Sequence, residues 1–187
     1  MSEVRLTQRG DSANNTLGHY WGAIEAMRAI RYVQIALLAY VSLIGLLAGF
    51  NNITDYGSNF AFIQHVMSMD TTFPGNAGMH RALNTPWMHH VCYWIIITAE
   101  ALFGIVTLAG AVRLYAVRQA DAEAFHRAKT LAFIGLGIGL TLYILGFMVV
   151  GAEWFLMWQS PKWDGRQAAI RIIACMGFAL LFLAHKE

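Results

Sequence analysis

Side chains that could bind a metal are concentrated in residues 51–93. This stretch holds four of the seven histidines and four of the nine methionines. The set comprises His65, His80, His89, His90, Met67, Met69, Met79 and Met88, with the acids Asp55 and Asp70. Thioether and imidazole ligands suit copper, and paired axial histidines suit haem.

Spacing argues against both metal sites. If residues 56–69 form a helix, the side chains of His65 and Met67 point about 160° apart. Only His89 and His90 lie near the end of an apolar run, and both lie at its rim. The sequence therefore predicts no metal ligand and identifies no cofactor. A copper- or haem-binding redox protein is kept only as an alternative.

The acid Glu100 lies inside a long apolar run. Its position is about 20 Å below the outer end of that run, at 1.5 Å per residue. An ionisable group at that depth costs at least ~2.5 kcal/mol unless it is neutral, paired or hydrated. On a helix, His89, Tyr93 and Glu100 lie within about 40° of one another. We interpret this stripe as a candidate ligand-binding or proton-linked line, or else as hydrogen-bonded glue between helices.

A second pattern follows in the next apolar run. Gly135, Gly139, Gly146 and Glu153 share one helical face, and the first two match the small-xxx-small spacing that permits close helix packing. We expect Glu153 to pair with Arg166 or with Arg171, and the alternative is a ligand-binding role for Glu153.

Composition places the chain in a membrane. Of its 187 residues, 57% are hydrophobic and 13% are charged, and the mean hydropathy is +0.47. Soluble domains carry roughly 25% charged residues. Cys92 and Cys175 both lie in apolar runs, where we interpret them as small buried hydrophobes.

Four apolar runs predict an all-α membrane protein, a bundle of four transmembrane helices in a single domain spanning residues 1–187. The predicted spans are residues 32–50, 87–108, 131–154 and 168–184, each near the ~20 residues that cross a bilayer. We predict a mobile segment at residues 1–16, and at 17–31 either an interfacial helix or a helix that continues into the first span. We also predict an extracytoplasmic cap at 51–86 that contains a second interfacial helix at 56–69.

Basic residues predict the orientation of the bundle. With the N-terminus inside, the inner side holds Arg5, Arg9, Arg28, Arg31, Arg113, Arg118, Arg127, Lys129 and Lys186. The outer side holds only Arg81, Lys162, Arg166 and Arg171. The positive-inside rule therefore favours cytoplasmic termini. Five of the six tryptophans fall near the outer face, as expected of an aromatic-rich cap.

Three strings carry a family resemblance: residues 55–60 (DYGSNF), 65–76 (HVMSMDTTFPGN) and 153–160 (EWFLMWQS). They resemble the bacterial "predicted small integral membrane protein" family, a domain of unknown function. The resemblance covers the chain from the first span to the fourth, leaves out residues 1–16, and departs from the family pattern at Ala152, where a glycine is usual. It implies a small four-span protein of a bacterial inner (plasma) membrane and supplies no activity.

Both longer strings are expected on the outer side, where they would form one surface. The residues expected to meet there are Asp55, His65, Asp70, His89, Glu153, Trp154 and Trp158. No catalytic motif is present, so we expect a protein other than an enzyme. The leading hypothesis is an accessory or assembly subunit that packs against a larger membrane complex, respiratory or photosynthetic, or forms a homo-oligomer. The alternative is a protein that binds quinone, lipid or another small ligand; membrane lipids are expected around it, and nucleic acid is not.

Overall fold

The computed structural model describes residues 3–185, with side chains described at residue 22 and from residue 25 onward. Within that part every regular element is a helix. The α-helices are α1 (Glu3–Thr54), α2 (Tyr56–Ser68), α3 (Pro86–Ala116), α4 (Ala122–Ala128), α5 (Thr130–Leu140) and α6 (Arg166–Ala184). Short 3₁₀ helices cover Ala77–Arg81 and Met157–Gln159, and a π-helix, here called the π segment, covers Thr141–Trp154.

Four stretches are long and apolar enough to cross a membrane, which confirms the predicted four-helix class. They are Glu25–Thr54, Pro86–Ala116, Ala122–Trp154 and Arg166–Ala184. The predicted spans lie inside these four. Since α3 packs against both α1 and α5, it is the central helix of the bundle.

The first span is the C-terminal part of one long helix. α1 runs without a break from Glu3 to Thr54, so the interfacial helix predicted at residues 17–31 is continuous with the first span. The side chains of residues 3–21, 23 and 24 lie outside the described set, and with them any interfacial face at residues 17–24. The mobility predicted for residues 1–16 stays a prediction.

Two buried cations close the bundle at the end opposite the cap. Arg31 donates hydrogen bonds to the carbonyls of Arg118 and Ala120, at 2.9 and 2.6 Å, just past the end of α3. Lys129 donates to two carbonyls at the C-terminal end of α6. Both cations lie over the Phe125 ring. Positive groups suit these positions because the last carbonyls of a helix lack partners within it.

The glycines predicted to pack do so in part. A Cβ at Gly135 would lie 2.5 Å from the backbone nitrogen of Thr107, and one at Gly139 would lie 2.8 Å from the Phe103 ring. A Cβ at Gly146 would meet only a leucine side chain, at 3.6 Å. The π segment begins between Gly139 and Gly146, and its wider turns break the 3.6-residue period on which the shared face was predicted.

A helical cap covers the other end of the bundle. As predicted, α2 buries Phe60, Ile63 and Met67 on one face. They join a compact apolar cluster with Tyr93 of α3 and Met157, which follows the π segment. The cap therefore rests on the first turns of α3 rather than extending freely from the bundle.

Candidate functional site

Glu100 is buried and fully engaged. Asn52, near the end of α1, donates its amide Nδ2 to Glu100 Oε2 at 2.6 Å, and the Tyr143 hydroxyl donates to Oε1 at 3.3 Å. The Tyr93 hydroxyl lies 3.1 Å from both the backbone oxygen and Oδ1 of Asn52. The network thus joins α1, α3 and the π segment. Both carboxyl oxygens are hydrogen-bonded, as a buried polar network requires.

The network lies near the cap end of the first span. Asn52 follows Arg31 by 21 residues of one helix, which is about 31 Å at 1.5 Å per residue and close to the thickness of a hydrocarbon core. The sequence-based depth of Glu100 was counted from the start of α3. How far the carboxyl lies within the bilayer stays a prediction.

His89 lies apart from this network. Its Nε2 donates to the carbonyl of Leu83 at 2.6 Å, and the Leu83 amide donates to the Met67 carbonyl at 2.8 Å. The buried imidazole therefore ties the segment before α3 to α2. Of the predicted stripe, the structure brings Tyr93 and Glu100 together through Asn52 and leaves His89 in the cap.

Two of the predicted cap residues form a pair. His65 Nδ1 lies 2.8 Å from Asp70 Oδ2, and the His65 ring stacks on Trp163 with centroids 4.6 Å apart. The Lys162 ammonium group lies over the same Trp163 ring, 4.8 Å from its centroid. Asp55, also predicted to lie in this group, is exposed at the position before α2. Its side chain makes no capping hydrogen bond to the helix.

Residues 69–76 and 156–161 are joined by side-chain hydrogen bonds. Gln159 Oε1 accepts from the backbone nitrogen of Phe73 at 3.1 Å and from Asn76 Nδ2 at 3.2 Å. The hydroxyls of Thr71 and Ser160 lie 2.7 Å apart. The two longer strings of the family resemblance, residues 65–76 and 153–160, therefore meet in one surface, as their sequence positions predicted.

Both strings contain a strained residue. Met69 has φ 55° and Leu156 has φ 52°, in the left-handed region that side chains other than glycine seldom adopt. Met69 is almost fully buried, at 1% exposure. Such strain persists where the surrounding contacts fix the backbone. The cap backbone is accordingly held in one shape at the point where the strings meet.

A cavity of about 470 Å³ lies at this junction, and we call it the cup. It is lined by Thr71, Thr72, Phe73, Pro74, Trp158, Gln159, Ser160 and Pro161. The Phe73 and Trp158 rings meet edge to face, with centroids 5.8 Å apart. Trp154 lies outside the cup, under the Arg81 guanidinium at 5.2 Å.

The ion pair expected between Glu153 and Arg166 or Arg171 is not formed with either arginine. Arg166 instead binds Asp164 through two nitrogens, with its Nη2 2.8 Å from Asp164 Oδ2. Hydrogen bonds from Arg166 hold the pKa of Asp164 below its ordinary value. Glu153 is exposed. A neighbour two residues away is reached at a lower entropic cost than one on another element, which explains why Asp164 takes the guanidinium.

Within residues 25–185, no three His, Cys, Asp or Glu side chains come close enough to hold one ion.

Cys92 is half-buried and Cys175 is exposed, so the burial predicted for both is wrong for Cys175.

Sequence reasoning missed the partners that complete these groups. Asn52 was placed beyond the first span, although its polar amide near the end of α1 was the available signal. Gln159 and Ser160 carried a signal as well, because they lie in a matching string. Nothing in the sequence pointed to Tyr143, since a π-helix shifts which residues face the core.

The fold and its buried polar network define a small integral membrane protein with four spans. The chain belongs to the family described as "Predicted small integral membrane protein", whose model matches residues 30–186. This confirms the resemblance that the three strings indicated. No curated protein and no solved structure matches the chain.

Proposed function

We propose that this protein is an accessory or assembly subunit that binds a larger membrane complex through the cup. The observation that carries the proposal is the junction of the two family strings, where a concave surface is lined by two aromatic rings and two prolines. Apolar residues in a pocket rimmed by polar groups are typical of the anchoring points of protein interfaces.

The hydrogen bonds of the cup favour a protein as the partner. Thr71, Ser160 and Gln159 make hydrogen bonds within the cap, so the rings and prolines are what the cup offers outward. Phe73 is 56% exposed and Trp158 is 38% exposed. An apolar side chain on a loop of the partner fits this chemistry.

Rigidity supports binding at this place. The strained backbone at Met69 and Leu156 and the Gln159 bridge hold the cup in shape before a partner arrives. A surface that needs no ordering on association loses less conformational entropy. Strained residues of this kind also cluster at functional sites in other proteins.

Orientation and location are part of the proposal. The distribution of basic residues favours cytoplasmic termini and therefore an extracytoplasmic cup. Lys186, one of the inner residues in that distribution, lies outside the described part of the chain. The family resemblance implies a bacterial inner membrane, where a respiratory or photosynthetic complex is the expected partner.

The alternative, a quinone or lipid site at His89, Tyr93 and Glu100, has less support. Both oxygens of Glu100 are hydrogen-bonded within the protein, and His89 binds a backbone carbonyl. None of the three lines the apolar groove between α3 and the third span. We propose that they join helices.

Co-purification in mild detergent tests the proposed function. The tagged chain should retain one larger membrane complex in fixed stoichiometry, and Phe73→Ala with Trp158→Ala should release it. Trp94→Ala is the matched control, because Trp94 is also an exposed tryptophan near the cap but lies on α3, outside the cup. Isolation of the wild-type chain only as a monomer or homo-oligomer would overturn the proposal, and so would equal loss with Trp94→Ala.

A further inference from the structure

An apolar groove of about 680 Å³ runs along the side of the bundle beneath the cap. It lies between α3 and the third span, from Cys92 to Ala99 on α3 and from Ile134 to Gly151 on α5 and the π segment. Its floor includes the buried side chains of Leu142 and Met157. Its volume is within the range of pockets that hold small ligands.

Missing side chains and the π segment create this groove. Gly137 and Gly146 both line it, and a Cβ at Gly137 would meet no atom within 4 Å. π-helices are rare, and their common short form, the π-bulge, occurs frequently at functional sites. The groove is therefore a space that the backbone leaves open rather than a gap between poorly fitting side chains.

The groove opens sideways and is closed at the cap. Ile95, Ile134 and Leu145, along its edges, are each at least half exposed, so the open side faces the bilayer. At the cap end, Met67 of α2 and Phe155 form part of the wall. A transmembrane helix of another protein would have to leave the bilayer through that closed end, so such a helix does not fit the groove. A flexible hydrocarbon chain can end inside the groove.

A positive charge lies beside the cap end of the groove. Phe62 lines the groove and contacts the Trp163 ring, with centroids 6.4 Å apart. The exposed Lys162 holds its ammonium group 4.8 Å from the centroid of that ring. An ammonium at the level of the headgroups attracts the phosphate of a phospholipid.

We propose that the groove binds one acyl chain of a phospholipid from the leaflet on the cap side, with the lipid phosphate at Lys162. The groove supplies an apolar wall, and its one hydroxyl, that of Thr141, already donates to the Gly137 carbonyl at 2.8 Å. Apart from the weakly polar thiol of Cys92, no other side chain of the wall carries a polar group that could orient a quinone ring. The site is separate from the cup and does not depend on the proposed partner.

Native mass spectrometry of the delipidated full-length protein tests this site, with palmitoyl-oleoyl-phosphatidylglycerol as the probe. The wild-type protein should bind one lipid. The double variant Gly137→Leu/Gly146→Leu fills the groove and should weaken binding about tenfold or more, because the chain loses buried apolar surface. Lys162→Gln should weaken binding about fivefold.

Gly177→Leu is the matched control. A Cβ at Gly177 also meets no atom within 4 Å, and Gly177 lies on α6, outside the groove. It should bind the lipid as the wild type does. Glycine-to-leucine changes favour helix, so the filled variant should keep its circular dichroism spectrum. Equal binding by the filled and wild-type proteins, equal loss with Gly177→Leu, or displacement of the lipid by a ubiquinone with an isoprenoid tail would overturn the proposal.

Discussion

The side-chain amide of Asn52 donates a 2.6 Å hydrogen bond to the carboxyl group of Glu100, and this bond joins the end of α1 to the middle of α3. The Tyr143 hydroxyl adds the π segment to the same carboxyl group. Three of the four spans are thereby held in register at one level. Polar contacts of this kind specify which helix faces meet where the lipid supplies little hydrophobic preference.

Replacing one partner of this bond should destabilise the bundle. Asn52→Leu leaves a buried carboxyl oxygen without its donor, which should lower the free energy of unfolding by about 1–3 kcal/mol. Glu100→Gln should cost less, because its amide can still bond to both neighbours. Unfolding in detergent, followed by circular dichroism, measures the change.

The double variant Asn52→Leu/Glu100→Leu separates the bond from the two single changes. Its free energy of unfolding should fall by less than the sum of the losses in the two single variants, since neither partner of the bond is left unpaired. Additive effects, or an Asn52→Leu variant as stable as the wild type, would contradict the network.

Helix packing at glycine can be tested on the third span with a matched pair. Gly135→Ala should cost about 1–3 kcal/mol of stability, because the new Cβ meets the Thr107 backbone. Gly146→Ala places its Cβ in ordinary van der Waals contact with Leu142, at 3.6 Å, and should be neutral or stabilising by up to about 1 kcal/mol. Thermal unfolding of the two variants decides the matter, and equal effects would count against the close contact at Gly135.

The cap bridge should be visible in hydrogen exchange. Gln159→Ala removes the acceptor of the Phe73 amide and should speed exchange of that amide by about fivefold, the effect of losing a bond worth about 1 kcal/mol. Exchange in the four spans should not change. Gln167→Ala, at an exposed position of α6, is the control. Unchanged exchange at Phe73, or faster exchange throughout the chain, would contradict a local bridge.

Low pH should weaken the ion pair between Asp164 and Arg166 at the start of α6. Arg166 lowers the pKa of Asp164 from its ordinary 3.8, so Asp164 contributes stability that is complete above that value and is lost as the pH falls through the lower, folded pKa. Asp164→Asn should therefore reduce stability at neutral pH and flatten the loss of stability below pH 3.8. Asp55→Asn, at an exposed site outside this ion pair, is the control for replacing an acid. A wild-type profile that is unchanged by Asp164→Asn would contradict the pairing.

The sequence predicted the parts of this fold that depend on local chemistry. Apolar length gave the four spans, and periodicity gave the buried face of α2 with Phe60, Ile63 and Met67. Burial of Glu100 followed from the cost of exposing an ionisable group to lipid. Proximity of the two family strings followed from the topology alone.

The rest depended on geometry that single positions do not encode. The prediction that Gly146 shares a packing face with Gly135 and Gly139 was wrong because the π segment changes the helical period after Leu140. Glu153 does not pair with Arg166 because Asp164, a nearer acid, holds that guanidinium. Each error comes from the way one element meets another.

The central claim, that the cup binds a partner, is tested most directly by photo-crosslinking in native membranes. Benzoylphenylalanine in place of Pro161, an exposed residue of the cup, should give a crosslink to one membrane protein, and Phe73→Ala should abolish it. The same probe in place of Trp94 should not give this product. Crosslinks only to lipid or to other copies of the chain, or the same product from both positions, would contradict the claim.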